Sequence, residues 1–351
     1  MMTLLKLRLW TLPAFAGLLL WSGAALAVNF QGKTISMIVG AAPGGGTDAT
    51  ARLLAPFFER YLPGHPSILV HNMPGAGGVT ALNYVVQQTK PDGLTLIGGG
   101  NAPLSPVTYR KSHGVYDPRK FLYIGGIGRG GTVVIVNSAR EKRLYDKSKP
   151  PLFFGALDGT RSGELIAFWA MEYLGWNAKM VVGYHGTNDI VIAMDRGEVD
   201  MNATGNLFQF AKLLQSGKFK ILLQSGTFQN GAFRGRPEYG NAPVFVNIMK
   251  DKLKDPAAKE AFRYWEAFMA TDKWVGLTEG TPKDILEAYR AAFDKTIHDP
   301  EFLKLSKRIS EDMTPMSHQD MELLANQLAG SPTEAADFIK TLQRKHGLNV
   351  K

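Results

Sequence analysis

Beyond its first stretch, the chain alternates short apolar β-rich runs with longer runs whose apolar positions recur at helical spacing. Ile35–Val39, Ser67–His71 and Leu94–Gly98 predict strands, and Ala49–Tyr61 and Thr80–Gln88 predict the helices between them. That alternation implies a parallel sheet with helices on its faces. Pro56 falls inside the first helix and predicts a kink, because it lacks a donor and its ring crowds the preceding turn. Ile124–Ile127 and Val133–Asn137 read as two more strands, separated by Gly128-Arg129-Gly130-Gly131. The alternation then restarts: strand Leu152–Gly155, helix Ser162–Leu174, strand Ala178–Val182, helix Asp189–Arg196, strand Val199–Ala203. Thr227–Pro243, rich in Gly, Asn and Pro, reads as a long loop returning to the first unit. From Asp255 the pattern is mostly helical. Pro282–Ile297 is led by Thr281 as a cap, Asp299-Pro300 opens the next helix, and Ser331–Gln343 forms the last.

The start of the chain has a different pattern. Lys6 and Arg8 precede an apolar stretch from Leu9 to Trp21, and Ala25-Leu26-Ala27 is a small-x-small cleavage site. This reads as a secretory signal peptide over residues 1–27, its apolar core too short for a comfortable membrane span. The chain contains no Cys, so neither a disulfide nor a lipid anchor on cysteine is available. The expectation is a soluble, exported protein, best suited to a bacterial periplasm and held together by its core. The remaining length suggests two domains: 28–131 plus 244–351, and 132–243. The formal net charge of +9 could suit acidic ligands or an anionic surface. The basic residues are scattered rather than clustered for nucleic acid, and the densest run, Arg140–Lys149, reads as a solvated loop.

Three glycine-rich segments follow the first three strands: Pro43-Gly44-Gly45-Gly46-Thr47-Asp48, Asn72-Met73-Pro74-Gly75-Ala76-Gly77-Gly78 and Gly98-Gly99-Gly100-Asn101. Glycine lets backbone approach a ligand closely, and the first turn of a helix offers unpaired N–H groups to an anion. Three such segments on one sheet edge argue for a backbone-lined pocket beyond the strand ends. No Lys-Ser/Thr pair follows the glycines of the first loop, and their spacing does not fit a dinucleotide site. The seven His residues make no metal-ligand pair, no Ser lies in a nucleophile elbow, and Asp158 and Glu164 are not singled out as an acid–base pair. No cofactor, metal or catalytic residue is assigned. In the second unit, Asp158-Gly159-Thr160-Arg161-Ser162-Gly163 opens a helix, and Tyr184-His185-Gly186 and Thr204-Gly205-Asn206 follow strands. Arg161 could pair bidentately with a carboxylate, with Arg129 a weaker candidate; equally, Arg161 could be a surface side chain.

These segments carry a resemblance. Pro43–Asp48 with Ala51-Arg52-Leu53, Asn72–Gly78, and Pro91-Asp92-Gly93 resemble the extracytoplasmic receptors of tripartite tricarboxylate transporters, the Bug-type solute-binding proteins. So do Tyr184-His185-Gly186 with Gly197-Glu198-Val199-Asp200, Gly280-Thr281-Pro282 and Asp299-Pro300-Glu301, so the resemblance spans nearly the whole mature chain. It implies an α/β, two-domain type II periplasmic binding-protein fold with a ligand cleft between its lobes. It further implies that Gly45, Gly46, Thr47 and Asp48 hold a carboxylate with Ala76 and Gly77 beside it. Thr160, Ser162, Tyr184 and Gly205 close from the other lobe. The chain departs from the family pattern at His185, where Lys is usual, at Arg161, where small residues are commoner, and at Asn101, where Ser or Thr often stands. Asn101 and Arg161 complete the candidate site. The expected function is a monomeric periplasmic receptor that captures a small organic carboxylate and delivers it to membrane permease subunits, without chemistry. A ligand-sensing partner of a membrane sensor, and an exported hydrolase, stand as alternatives.

Overall fold

The computed structural model describes residues 28–349 apart from 45, 130, 158, 160, 185, 186, 206 and 310–312. The expected signal peptide therefore lies outside the described residues. Among them, no helix is long and apolar enough to cross a membrane.

The chain runs from β1 (Thr34–Val39) through α1 (Gly46–Tyr61) to β2 (Ser67–Asn72), then through α2 (Val79–Gln88) to β3 (Thr95–Gly100). β2 and β3 flank β1, both parallel to it, as helical crossovers require. Ile35, Met37 and Val39 are buried together with Phe57 and Phe58 of α1. That helix continues through Pro56 as one element. A short α3 (Pro106–Lys111) leads to β4 (Leu122–Arg129), so Gly128 and Arg129 extend the strand rather than forming the link expected of them.

The second sheet begins with β5 (Val133–Asn137) and β6 (Leu152–Gly155). It continues through α4 (Leu165–Tyr173), β7 (Ala178–Val181), α5 (Thr187–Arg196), β8 (Met201–Thr204), α6 (Ala211–Gln215) and β9 (Phe219–Gln224). Its order is β7-β6-β8-β5-β9. The basic run expected as a solvated loop is anchored instead: Arg140 pairs with Asp200 at 2.6 Å, and Asp200 is only 2% exposed. A buried carboxylate needs such a partner.

The segment read as the long loop Thr227–Pro243 contains a hairpin, β10 (Thr227–Gln229) with β11 (Ala232–Arg234). Asn230 and Gly231 at its tip take φ of 51° and 73°. This is the two-residue turn that Asn-Gly favours, a signal present in the sequence. Their N–H groups both donate to the buried Asp320 carboxylate, at 2.9 and 2.8 Å.

The tail comprises α7 (Phe245–Met249), α8 (Pro256–Ala270), β12 (Lys273–Leu277), α9 (Lys283–His298), α10 (Pro300–Ile309), β13 (Met313–Met316), α11 (His318–Gly330) and α12 (Thr333–Lys345). α9 and α12 agree with the predicted spans Pro282–Ile297 and Ser331–Gln343 within two residues, and α10 opens where Asp299-Pro300 predicted. Thr281, however, does not cap α9: its hydroxyl donates to the Thr278 carbonyl, and Pro282 holds the cap position. Asp299 does cap α10, accepting from the N–H groups of Glu301 and Phe302.

The two strands of the tail were not apparent from the pattern. β12 lies antiparallel between β3 and β4, and β13 pairs with β4, giving a six-stranded sheet ordered β13-β4-β12-β3-β1-β2. The glycine run 98–100 is accordingly part of β3, not a loop. A Cβ on Gly99 would sit 2.2 Å from the indole of Trp274, whose Nε1 donates to the Gly100 carbonyl at 2.7 Å. Gly125 of β4 gives the same clearance to Phe293. Glycines here make space for aromatic rings.

Helices of the tail also reach the second sheet. Trp169 of α4 packs edge-on against Phe262 of α8 at 5.0 Å and stacks on Phe338 of α12 at 6.0 Å. Trp265 Nε1 donates to the Ser162 carbonyl at 2.9 Å.

Gly99→Ala is expected to destabilise the protein by roughly 3 kcal/mol or more, because a fully buried indole cannot swing aside. Denaturant unfolding checks this; a loss within ~0.5 kcal/mol, the usual range for surface substitutions, would show that the sheet yields there.

Candidate functional site

A cavity of about 330 Å³ lies between the two sheets. Gly46, Thr50, Met269, Asp272 and Lys273 form its wall on the first sheet's side, and Arg161, Ser162, Asn202 and Gly205 are on the opposite side. Thr132, Ser225 and Gly226 close its back, where the chain crosses between sheets. There Thr132 N donates to Ser225 Oγ at 2.8 Å and Ser225 N to the Thr132 carbonyl at 2.7 Å.

The first glycine loop is held from behind. α1 begins at Gly46 rather than at the predicted Ala49, so Asp48 is inside its first turn. Its carboxylate, 3% exposed, reaches back to accept from Gly44 N at 2.8 Å. Its other oxygen accepts from Arg52 Nε and from Asn72 Nδ2, both at 2.9 Å. Asn72 Nδ2 also donates to the Ala41 carbonyl at 3.0 Å. Burial pushes the Asp48 pKa up, but the bonds from Gly44, Arg52 and Asn72 outweigh it, and the carboxyl stays below the ordinary range. Asp48 thus ties the loop after β1 to the loop after β2.

The second glycine loop is shaped to fit the first. Ala76, Gly77 and Gly78 all have positive φ, and a Cβ on Gly40 would meet Gly78 Cα at 3.0 Å. The two loops meet so closely that a side chain at Gly40 would require the Gly78 backbone to shift.

The loop before α4 mirrors this design. Glu164, 4% exposed, accepts from Leu157 N and Gly159 N, both at 2.8 Å. Gln343 of α12 donates to the Gly159 carbonyl at 2.8 Å. Asn202, 2% exposed, donates through Nδ2 to the Gly155 carbonyl at 2.8 Å, while its Oδ1 finds no partner among the described residues. Arg161 is exposed at the cavity wall, and among the described residues no carboxylate pairs with it.

Of the residues expected to bind ligand, Gly46, Arg161, Ser162 and Gly205 come together around this cavity. Thr47 is beside it, its Oγ1 3.6 Å from where a Cβ of Gly100 would be. Asp48, Ala76 and Gly77 stand behind the wall. Asn101 donates from Nδ2 to the Phe268 carbonyl at 3.0 Å, which ties β3 to α8. Tyr184 is half-buried with the apolar residues beneath α5, and burial raises its pKa. Gly45 and Thr160 lie outside the described residues, as does the side chain of Arg129. Sequence reasoning missed Asp272 and Lys273, which head β12, and Thr50, Asn202 and Ser225. The apolar run Trp274–Leu277 was the available signal for β12. Among the described residues no group of His, Asp and Glu has metal-binding arrangement.

The family model of the tripartite tricarboxylate transporter family receptor matches residues 52–235. The chain belongs to this family. It is a solute-binding receptor of the tripartite tricarboxylate transporter type. A UPF0065 protein of Bordetella pertussis is 26% identical over 323 residues, covering 90% of this chain and 92% of that protein. Another, from Cupriavidus necator, is 27% identical and covers 64% of this chain and 68% of its own. Among solved structures, a ligand-free TctC solute-binding protein from Polaromonas matches with a TM-score of 0.64 at 18% identity, over 89% of this chain and 98% of that one. An R. palustris protein solved with adipate matches with a TM-score of 0.51 at 22% identity, over 90% and 97%. These neighbours establish the two-lobed α/β binding-protein fold for the receptor.

Asp48→Ala should cost the receptor about 2 kcal/mol, since three donors lose their acceptor. A depressed carboxyl pKa stabilises the fold above the unfolded value and stops doing so as pH falls through the folded one. The stability gap between wild type and variant should therefore be full at neutral pH and narrow below about pH 4. Urea unfolding across that range checks both statements; a gap independent of pH would show that Asp48 acts by packing alone.

Proposed function

We propose that the receptor works in the periplasm, exported by a signal peptide cleaved after Ala27, and that it binds a small organic carboxylate without transforming it. The observation that carries this is the cavity itself. It is walled by backbone-rich loops, and each side contributes a cation, Lys273 from one and Arg161 from the other. Cationic walls and helix N-termini suit an anion with carboxylate geometry. The adipate of one fold neighbour supports the same class of ligand.

In this reading the lobes are 28–131 with 244–351, and 132–243. The division follows the sheets, which part between β4 and β5. The proximal carboxylate sits at the loop of Gly45, Gly46 and Thr47. Asp48, Ala76, Gly77 and Asn101 hold that seat in shape. Thr160, Arg161, Ser162, Tyr184 and Gly205 approach from the other lobe. A ligand that touches both lobes only when they are closed stabilises the closed form, and closure changes the surface presented to the permease subunits. The receptor acts as a monomer with no cofactor and no nucleic-acid partner.

A thermal-shift screen of the mature protein against acetate, succinate, adipate, citrate and benzoate is expected to raise the Tm with at least one acid, by mass action on the folded state. No shift with any of them at millimolar concentration would overturn the carboxylate reading. Arg161→Ala should weaken dicarboxylates about tenfold more than monocarboxylates, as loss of one charge-assisted contact implies. Calorimetric titration giving equal losses for both would remove Arg161 from the distal site.

A further inference from the structure

Asp272 and Lys273 are neighbours in sequence, yet their side chains pair with each other. The Lys273 ammonium donates to Asp272 Oδ1, and also approaches the Asp272 carbonyl at 3.4 Å. Adjacent residues of a regular strand point to opposite faces. The pairing is possible because β12 begins only at Lys273. Both side chains are largely buried, 13% exposed for Lys273 and 21% for Asp272, and both line the cavity.

The place this pair occupies is unusual for a cation. Lys273 Cε lies 3.8 Å from where a Cβ on Gly46 would be, so the lysine stem crosses the first residue of α1. An ammonium beside the positive end of a helix is unfavourable. Two like-signed features converge there, and removing them from water makes an anion between them necessary. Asp272 supplies an anion there.

We propose that Lys273 is the charged contact for the ligand's proximal carboxylate, and that Asp272 is a built-in stand-in that the ligand displaces. This rests on the reading of the cavity as a carboxylate site. The exchange conserves charge at the seat: one carboxylate leaves the ammonium as another arrives. It sets a threshold, because a weakly bound anion cannot outcompete a tethered one.

The test compares adipate and succinate binding by wild type, Asp272→Asn and Lys273→Gln, using calorimetric titration and thermal unfolding of the mature protein. Asp272→Asn, nearly isosteric, should lower the Tm without ligand, enlarge the ligand-induced rise and tighten Kd by about tenfold, as removal of an occluded state predicts. Lys273→Gln should weaken binding by at least about tenfold, the loss of one charge-assisted contact. A merely structural ion pair would lower the Tm of Asp272→Asn and leave Kd unchanged or weaker, and that result overturns the proposal even if Lys273→Gln fails to fold. Binding by wild type with both variants unchanged overturns this inference alone. Binding of neither acid by wild type overturns the inference together with the assignment of dicarboxylates to the site.

Discussion

The walls of the receptor's cleft depend on buried carboxylates that tie their loops in place. Asp48 on one side accepts from Gly44 N and from the Arg52 and Asn72 side chains, and Glu164 on the other accepts from Leu157 N and Gly159 N, so each holds a glycine-containing loop in one shape. A flexible loop loses much conformational entropy when it orders around a small anion, and glycine raises that cost. Buried charge-assisted hydrogen bonds from within the protein meet the cost in advance, so the loops stand ready. The same bonds limit what the loops can offer, because the N–H groups of Gly44, Leu157 and Gly159 are already engaged. Side chains add charge to the cleft, where Lys273 and Arg161 line opposite walls.

How Lys273 reaches the cleft is a matter of packing. Trp274 fills the space that Gly99 leaves open, and Phe293 fills that left by Gly125. These contacts seat β12 between β3 and β4 and bring the residues before Trp274 to the sheet edge where the glycine loops lie. The aromatic cluster of Trp169, Phe262 and Phe338 does the complementary work on the other side, fastening α4 to α8 and α12. With Gln343 bonded to Gly159, the C-terminal helix supports a loop of the opposite wall. Both walls of the cleft are thus positioned by the last third of the chain.

The sequence by itself determined the features whose physics is local. The β-α-β-α-β start follows from periodicity, and the glycine loops follow from their place between an apolar run and a helix. The Asn230-Gly231 hairpin was equally local, and its signal was in the chain although the surrounding Gly, Asn and Pro masked it. What only the tertiary structure decided was contact between distant segments. Gly99 and Gly100 extend the strand predicted over Leu94–Gly98 because the distant β12 pairs with them. Asp48 faces inward because Asn72 and Arg52 meet it there, and Asn72 lies a whole helix and strand away in sequence. Asp272 and Lys273 carry no motif, and their meaning arises only where β12 brings an ammonium beside the first turn of α1. Periodicity and turn chemistry act over a few residues and so can be read along the chain, while the electrostatics of a cleft depend on which charges the folded chain brings together and removes from water.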